Sequence, residues 1–141
     1  MKEWVSHSAE ETMEWGRELG SSLQGKVVIC FFGDLASGKT TFIKGLVEGA
    51  AQVDSSLVQS PTFVYLHIYK GEKTVYHFDL YRLRDSDAFL SMGFEEYLES
   101  DGICCIEWSE RIKSLLPDNF ISVTLTHEGE NKRRISIETQ V

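Results

Sequence analysis

The sequence predicts an α/β fold built on a mixed sheet, and three observations carry that expectation. Val27-Val28-Ile29-Cys30-Phe31-Phe32 is apolar without alternation, the pattern of a strand covered on both faces, as in a parallel sheet. Ile103-Cys104-Cys105-Ile106 is a second run of the same kind. Towards the C-terminus Ile121, Val123 and Leu125, then Ile135 and Ile137, alternate with polar residues, which predicts an antiparallel hairpin with one wet face. Parallel strands in the middle and hairpins beside them give a sheet of mixed direction.

The remaining elements follow in order. Ser8-Ala9-Glu10-Glu11 has the form of a capping box, and Ala9, Met13, Gly16, Leu19 or Gly20, and Leu23 recur at helical spacing, so a first helix is expected over about 8–23, closed by Gly25. The strand Lys26–Phe32 leads straight into a glycine-rich loop, and a helix is expected from Thr40 to Glu48, ending near Gly49. Ser60-Pro61-Thr62 reads as a turn. Phe63–Tyr69 and Thr74–Leu80 read as strands joined through Lys70-Gly71-Glu72-Lys73. Residues 86–99 are helical in character, in two pieces broken at Gly93. The second apolar strand ends at Glu107-Trp108, a short helix runs from Ser109 to Leu116 and stops at Pro117, and the C-terminal hairpin turns at Glu128-Gly129-Glu130.

Composition bounds the function. A chain of 141 residues is expected to form one domain, 1–141, and at that size it buries roughly two-thirds of its unfolded surface. No stretch is apolar over the ~18 residues that a membrane span needs, and Met1-Lys2-Glu3-Trp4 does not open a signal peptide, so the expected location is cytoplasmic. Cys30, Cys104 and Cys105 lie in apolar runs and are odd in number, which suits buried thiols rather than a disulfide framework. The net charge of −8 disfavours wrapping nucleic acid over the whole surface, so neither DNA binding nor membrane binding is expected. Lys132-Arg133-Arg134 is the lone basic cluster; it reads as a solvated hairpin end or as a local patch.

The chemistry concentrates in Gly33-Asp34-Leu35-Ala36-Ser37-Gly38-Lys39-Thr40, which has the P-loop spacing G-x-x-x-x-G-K-[ST]. With glycine near 7% of an average composition, chance gives this pattern in well under about one chain of this length in a hundred. It lies between a buried strand and a helix, where loop amides and a helix N-terminus face the phosphates of a nucleoside triphosphate. Lys39 places its charge on the β- and γ-phosphates, Thr40 offers a hydroxyl to Mg2+, and Gly38 lets the backbone come close. The expected fold is therefore P-loop NTPase-like, in three layers. Two acids end strands: Glu107 after Ile103–Ile106, where a Walker B carboxylate stands, and Asp79 after Thr74–Phe78. Both are candidate metal ligands. Thr62 lies in a loop after the P-loop helix, where such proteins place a γ-phosphate sensor. Trp108 reads either as a core tryptophan or as a ring that stacks on a base or a partner. His77 reads as a structural or site-wall residue and not a ligand.

Taken together, Gly33-Asp34-Leu35-x-x-Gly38-Lys39-Thr40-Thr41, Ser60-Pro61-Thr62-Phe63, Tyr76-His77-Phe78-Asp79-Leu80-Tyr81-Arg82-Leu83, Met92-Gly93-Phe94 and Ile106-Glu107-Trp108 occur in one order over about residues 8–137. In this the chain resembles the bacterial TsaE (YjeE) family of small P-loop ATPases. The resemblance implies a subunit that binds and weakly hydrolyses ATP with Mg2+. It implies support for the threonylcarbamoyladenosine modification of tRNA next to the anticodon by driving turnover of a complex with TsaB-like and TsaD-like proteins. tRNA is then met through that complex. By motif, the segment from Gly33, Asp34, Leu35, Ala36, Ser37 and Gly38 through Lys39, Thr40 and Thr41 holds the phosphates. Thr40 and Glu107 hold magnesium, Asp79 belongs to the metal and water site, and Thr62 belongs to a switch-like loop. Trp108 matches a family tryptophan at the nucleotide. Arg133 and the N-terminal helix are the candidates for the base end. Family members usually carry glycine at Ala36; where that position needs positive φ, alanine would add strain of roughly 1 kcal/mol or more. Two other readings of the residues stand beside this one, a small-molecule P-loop kinase and a nucleotide-holding adaptor that does not hydrolyse.

Overall fold

The computed structural model describes residues 2–34 and 37–140. Seven strands form one sheet: β1 (Lys2–Ser6), β2 (Val27–Phe32), β3 (Leu66–Tyr69), β4 (Val75–Asp79), β5 (Ile103–Glu107), β6 (Phe120–His127) and β7 (Arg133–Gln140). Their order is β1-β7-β6-β2-β5-β4-β3. The four central strands run parallel, β6 with β2, β2 with β5, and β5 with β4, and the flanking pairs β1·β7, β6·β7 and β3·β4 are antiparallel. The mixed α/β sheet is as the sequence predicts.

Residues of the central strands feed two cores in alternation. Ile29, Phe31, Val75, Ile103 and Cys105 pack on one side with Phe42, Ile43, Leu46 and Val47 of α2 (Lys39–Ala51). Val28, Cys30, Phe78, Cys104 and Ile106 pack on the other with Phe89 of α3 (Ser86–Ser91), Leu98 of α4 (Glu95–Leu98) and Ile112 of the 3-10 segment Ser109–Leu115. The result is three layers, with hydrophobic burial on both faces of the parallel strands. The three cysteines are free and buried. Loss of solvent pushes the Cys30 thiol up to about 11 and the Cys104 thiol up to about 12.

The first helix, α1 (Ala9–Ser22), begins where the capping box places it, with the Ser8 side chain accepting from the Glu11 N–H at 3.0 Å. Gly16 and Gly20 of the predicted face are buried together with Thr12, and Leu19 and Leu23 of that face are partly buried against the core. The glycines permit close approach to α2: a Cβ on Gly16 would lie 2.2 Å from the Phe42 carbonyl oxygen, and one on Gly45 of α2 would lie 2.0 Å from that of Met13. The two helices touch backbone to backbone, so α2 continues past Gly49, where the sequence reading ends it, and stops at Gln52 in the left-handed region.

Three other expectations are corrected. β1 is a strand the sequence pattern does not announce; pairing with β7 and a Trp4–Trp15 stack at 4.4 Å fix it in place. The strand expected from Phe63 starts at Leu66, because Pro61 C=O accepts from both Val64 and Tyr65 N–H and Tyr65 adopts φ 69°. The helix after Trp108 is of the 3-10 type.

Candidate functional site

Strands β2, β4 and β5 all deliver their C-terminal ends to one place. The register pairs Phe31 with Glu107 and Glu107 with Asp79, so the two acids stand side by side on neighbouring parallel strands, on the face covered by α2. Paired residues of a parallel ladder point to the same face, which is why two strand-end carboxylates 28 positions apart in sequence converge. Both are nearly enclosed, at 6% and 5% exposure.

A cavity of about 420 Å³ opens in front of them. Of the residues singled out from sequence, Asp34, Gly38, Lys39, Thr40, Thr41, Thr62, Asp79, Glu107, Trp108 and Arg133 line it. Gly33 lines an adjoining recess, Ser37 is buried beneath the loop, and Leu35 and Ala36 lie outside the described residues. Ser60 and Tyr81 also line the cavity and were not singled out. Arg133 is therefore not merely a solvated hairpin end: its Cγ and Nε stand 3.8 Å from where a Gly38 side chain would begin. Arg134, its neighbour, pairs instead with Glu128 at 2.7 Å and Glu3 at 2.5 Å, tying the hairpin to β1.

The loop-to-helix junction suits an anion. Gly38 adopts φ 103°, a conformation that disfavours any other residue, and no side chain caps α2 behind it. The Lys39 ammonium donates to the Gly33 carbonyl at 2.6 Å, curling back over its own loop, and lies 5.5 Å from the Trp108 ring centroid. Ser37 Oγ is buried and has no partner among the described residues. A cation held on a weak neutral acceptor, an orphaned hydroxyl and an uncapped helix start are what a P-loop leaves for phosphates.

The two acids are held differently. Asp79 organises the loop above it: Oδ2 accepts from Ser60 Oγ at 3.1 Å and Thr62 Oγ1 at 3.0 Å, and Oδ1 accepts from the Tyr81 N–H at 3.1 Å. Glu107 is held from behind by His77, whose Nε2 lies 2.8 Å from Glu107 Oε2. A carboxylate only accepts, so Nε2 is the donor, and the buried Nδ1 has no partner among the described residues. Cys105 stands opposite His77 in the register, and Glu107 is two residues further along on the same strand face. His77 is thus a carboxylate-positioning residue and more than a wall. The signal that could have found it is its place two residues before Asp79, on the same strand face.

Trp108 follows Glu107 in the left-handed region, φ 62° and ψ 41°, a conformation that costs an L-residue roughly 1–2 kcal/mol. The turn throws its ring over the cavity, where Tyr81 packs at 5.0 Å. Oxygen donors from Thr40, Glu107 and Asp79 on one wall suit a hard divalent cation that keeps several waters and shares phosphate oxygens. No group of three or more His, Cys, Asp or Glu side chains able to hold a metal by themselves occurs among the described residues.

Comparison with known proteins gives one family. A profile described as "Threonylcarbamoyl adenosine biosynthesis protein TsaE" matches residues 6–135. The "tRNA threonylcarbamoyladenosine biosynthesis protein TsaE" of Treponema pallidum is 38% identical over 133 residues, covering 94% of this chain and 97% of that protein. The protein of the same name from Rickettsia conorii is 40% identical over 134 residues, covering 94% and 75%. A crystal structure of Bacillus subtilis YdiB superposes with a TM-score of 0.82 at 29% identity, covering 99% of this chain and 85% of that one.

Proposed function

This chain belongs to the TsaE family of tRNA threonylcarbamoyladenosine biosynthesis proteins, and from that premise we propose that it binds ATP with magnesium and hydrolyses it slowly to drive turnover of a complex with TsaB-like and TsaD-like proteins. In this reading it is the ATP-driven subunit, meets tRNA through the complex, and works in the cytoplasm. One observation supports it above the others. The P-loop lysine, the P-loop threonine and two enclosed carboxylates from adjacent strands share one cavity with the hydroxyls of Ser60 and Thr62.

In this reading each residue of the cavity takes a role. Lys39 exchanges the Gly33 carbonyl for phosphate oxygens, a stronger, charge-assisted partner. The start of α2 offers its amides and dipole to the same phosphates. Thr40 and Glu107 hold magnesium, with Asp79 beside them. When bound, the metal neutralises charge on the phosphates and orients them. Asp79 and Thr62 bracket the place where an attacking water is oriented, because Asp79 already fixes that loop through Ser60 and Thr62. His77 keeps Glu107 turned towards the cavity. A small recess of about 90 Å³ lined by Ser8, Thr12, Thr41 and Arg133 among others continues from the loop, and we assign the base end of the nucleotide to that side. No helix among the described residues is long and apolar enough to cross a membrane.

The test is calorimetric titration of ATP with magnesium into the wild-type chain and Lys39→Ala. Loss of a charge-assisted bond worth about 1.5–3 kcal/mol weakens binding by roughly 10–100-fold. Equal affinity of the two proteins would remove the P-loop from the account.

A further inference from the structure

Seven large apolar side chains are exposed among the described residues, and five of them fall in two segments, Phe63 and Val64 in one and Tyr81, Leu90 and Met92 in the other. Phe63 is 78% exposed, and the Arg82 guanidinium lies 4.4 Å from its ring centroid. Beside that contact, Tyr65, Leu83, Ala88 and Met92 share with Arg82 and Arg84 a shallow depression of about 430 Å³. Clustered exposed apolar residues mark an interaction surface, whereas single ones do not. Fold stability does not account for them: Phe63 and Val64 lie on a turn, and neither belongs to either core.

The surface is tied to the nucleotide cavity. The turn that carries Phe63 is fixed at Ser60 and Thr62, which donate to Asp79, and at Tyr65, whose carbonyl accepts from the Asp79 N–H. Tyr81 belongs to both places, lining the cavity and packing on Trp108.

Two features identify the occupant. Val64 and Met92 add aliphatic surface to the Phe63 and Tyr81 rings, and the net charge of −8 opposes the phosphate backbone of RNA, which together favour a protein partner. On a chain of net charge −8, Arg82 and Arg84 present guanidinium groups here; Arg84 is 87% exposed and its contact with Asp85 is long, at 3.5 Å. The complementary surface carries carboxylates around an apolar knob.

We propose that the Phe63–Arg82–Met92 patch is the surface through which this chain docks on its protein partner, seating an apolar knob flanked by acidic residues. This rests on the reading that TsaB-like and TsaD-like proteins are that partner. The test measures binding of the purified pair, with magnesium and a non-hydrolysable ATP analogue, to the wild-type chain, Phe63→Asp, Arg82→Glu and a matched charge control, Lys2→Glu, at the opposite edge of the sheet. Nucleotide affinity is measured alongside as proof of folding, and Arg82→Glu decides if Phe63→Asp fails to fold. Phe63→Asp and Arg82→Glu are each expected to weaken docking by at least about 30-fold, the range of a central interface residue, with Lys2→Glu unchanged. Wild-type docking with both patch variants unaffected would overturn this inference and leave the functional reading standing. No wild-type docking would overturn both. If the patch variants lose affinity for isolated tRNA while still docking on the pair, the surface is an RNA site and the inference is wrong.

Discussion

Replacing His77 by leucine tests how the Glu107 carboxylate is held. The imidazole is 0% exposed and the Glu107 side chain 6% exposed, so water cannot take over the 2.8 Å bond to Oε2. A hydrogen bond lost at a wet surface costs roughly 0.5–1.5 kcal/mol, whereas stranding a buried acceptor costs about 1–3 kcal/mol, and more when it is charged. Leucine also removes the buried Nδ1 that has no partner, which offsets part of that loss. The net expectation is a destabilisation of about 2 kcal/mol, or roughly 4–8 °C in melting temperature for a chain of this size. His77→Gln keeps an N–H donor and should recover at least half of it. Thermal unfolding at neutral pH measures both. The separate functional readout is the magnesium concentration needed for half-maximal turnover, which should rise in the leucine variant while metal-free nucleotide affinity holds. A leucine variant that melts within about 1 °C of wild type, inside the effect of ordinary surface changes, would refute the claim that His77 carries Glu107.

Two further predictions concern the α1–α2 contact. Gly16→Ala places a methyl 2.2 Å from the Phe42 carbonyl oxygen, so urea unfolding should show a loss of about 1–3 kcal/mol from forced separation of the helices; an unchanged midpoint would mean the helices are not in backbone contact. Arg17 donates to Glu48 across the same pair, and that hydrogen bond, first among the causes, holds the Glu48 carboxyl below its ordinary value of 4.5. Because the folded value is the lower one, the stabilisation is present above the unfolded value and is lost as pH falls through the folded one. The stability gap between wild type and Arg17→Met should therefore be full at pH ~7 and shrink below pH ~4.5, and a gap constant across that range would contradict it.

Legibility divided along physical lines. The apolar runs 27–32 and 103–106 identified the parallel strands because burial on both faces leaves no polar positions to confuse the pattern. The P-loop was legible because its function constrains backbone conformation, and glycine at φ 103° is a sequence-visible consequence. Asp79 and Glu107 were found as strand ends, but their adjacency follows from register, which no local pattern carries. His77 was underread for the same reason: its partner is 30 positions away and is brought within reach by the register of β4 on β5. β1 escaped because Lys2-Glu3-Trp4-Val5-Ser6 has no intrinsic strand pattern and is made by β7 and the Trp15 ring. Gly16 and Gly20 of α1 were placed on the buried face by periodicity, but their reason, a backbone-to-backbone contact with α2, depends on a neighbour that no local pattern shows. Ser60 and Tyr81 stand in the motif strings but received no site role, because a hydroxyl in a turn and an exposed ring show their use only with Asp79 and Trp108 beside them.

The most direct test of the account is the rate of magnesium-dependent ATP hydrolysis by this chain alone and with purified TsaB-like and TsaD-like proteins, for wild type and Glu107→Gln. The account predicts slow turnover alone, a rise of at least about tenfold with the pair, equivalent to about 1.4 kcal/mol off the barrier, and loss of that rise in Glu107→Gln. A rate that the pair leaves unchanged, or a Glu107→Gln variant stimulated as strongly as wild type, would contradict it.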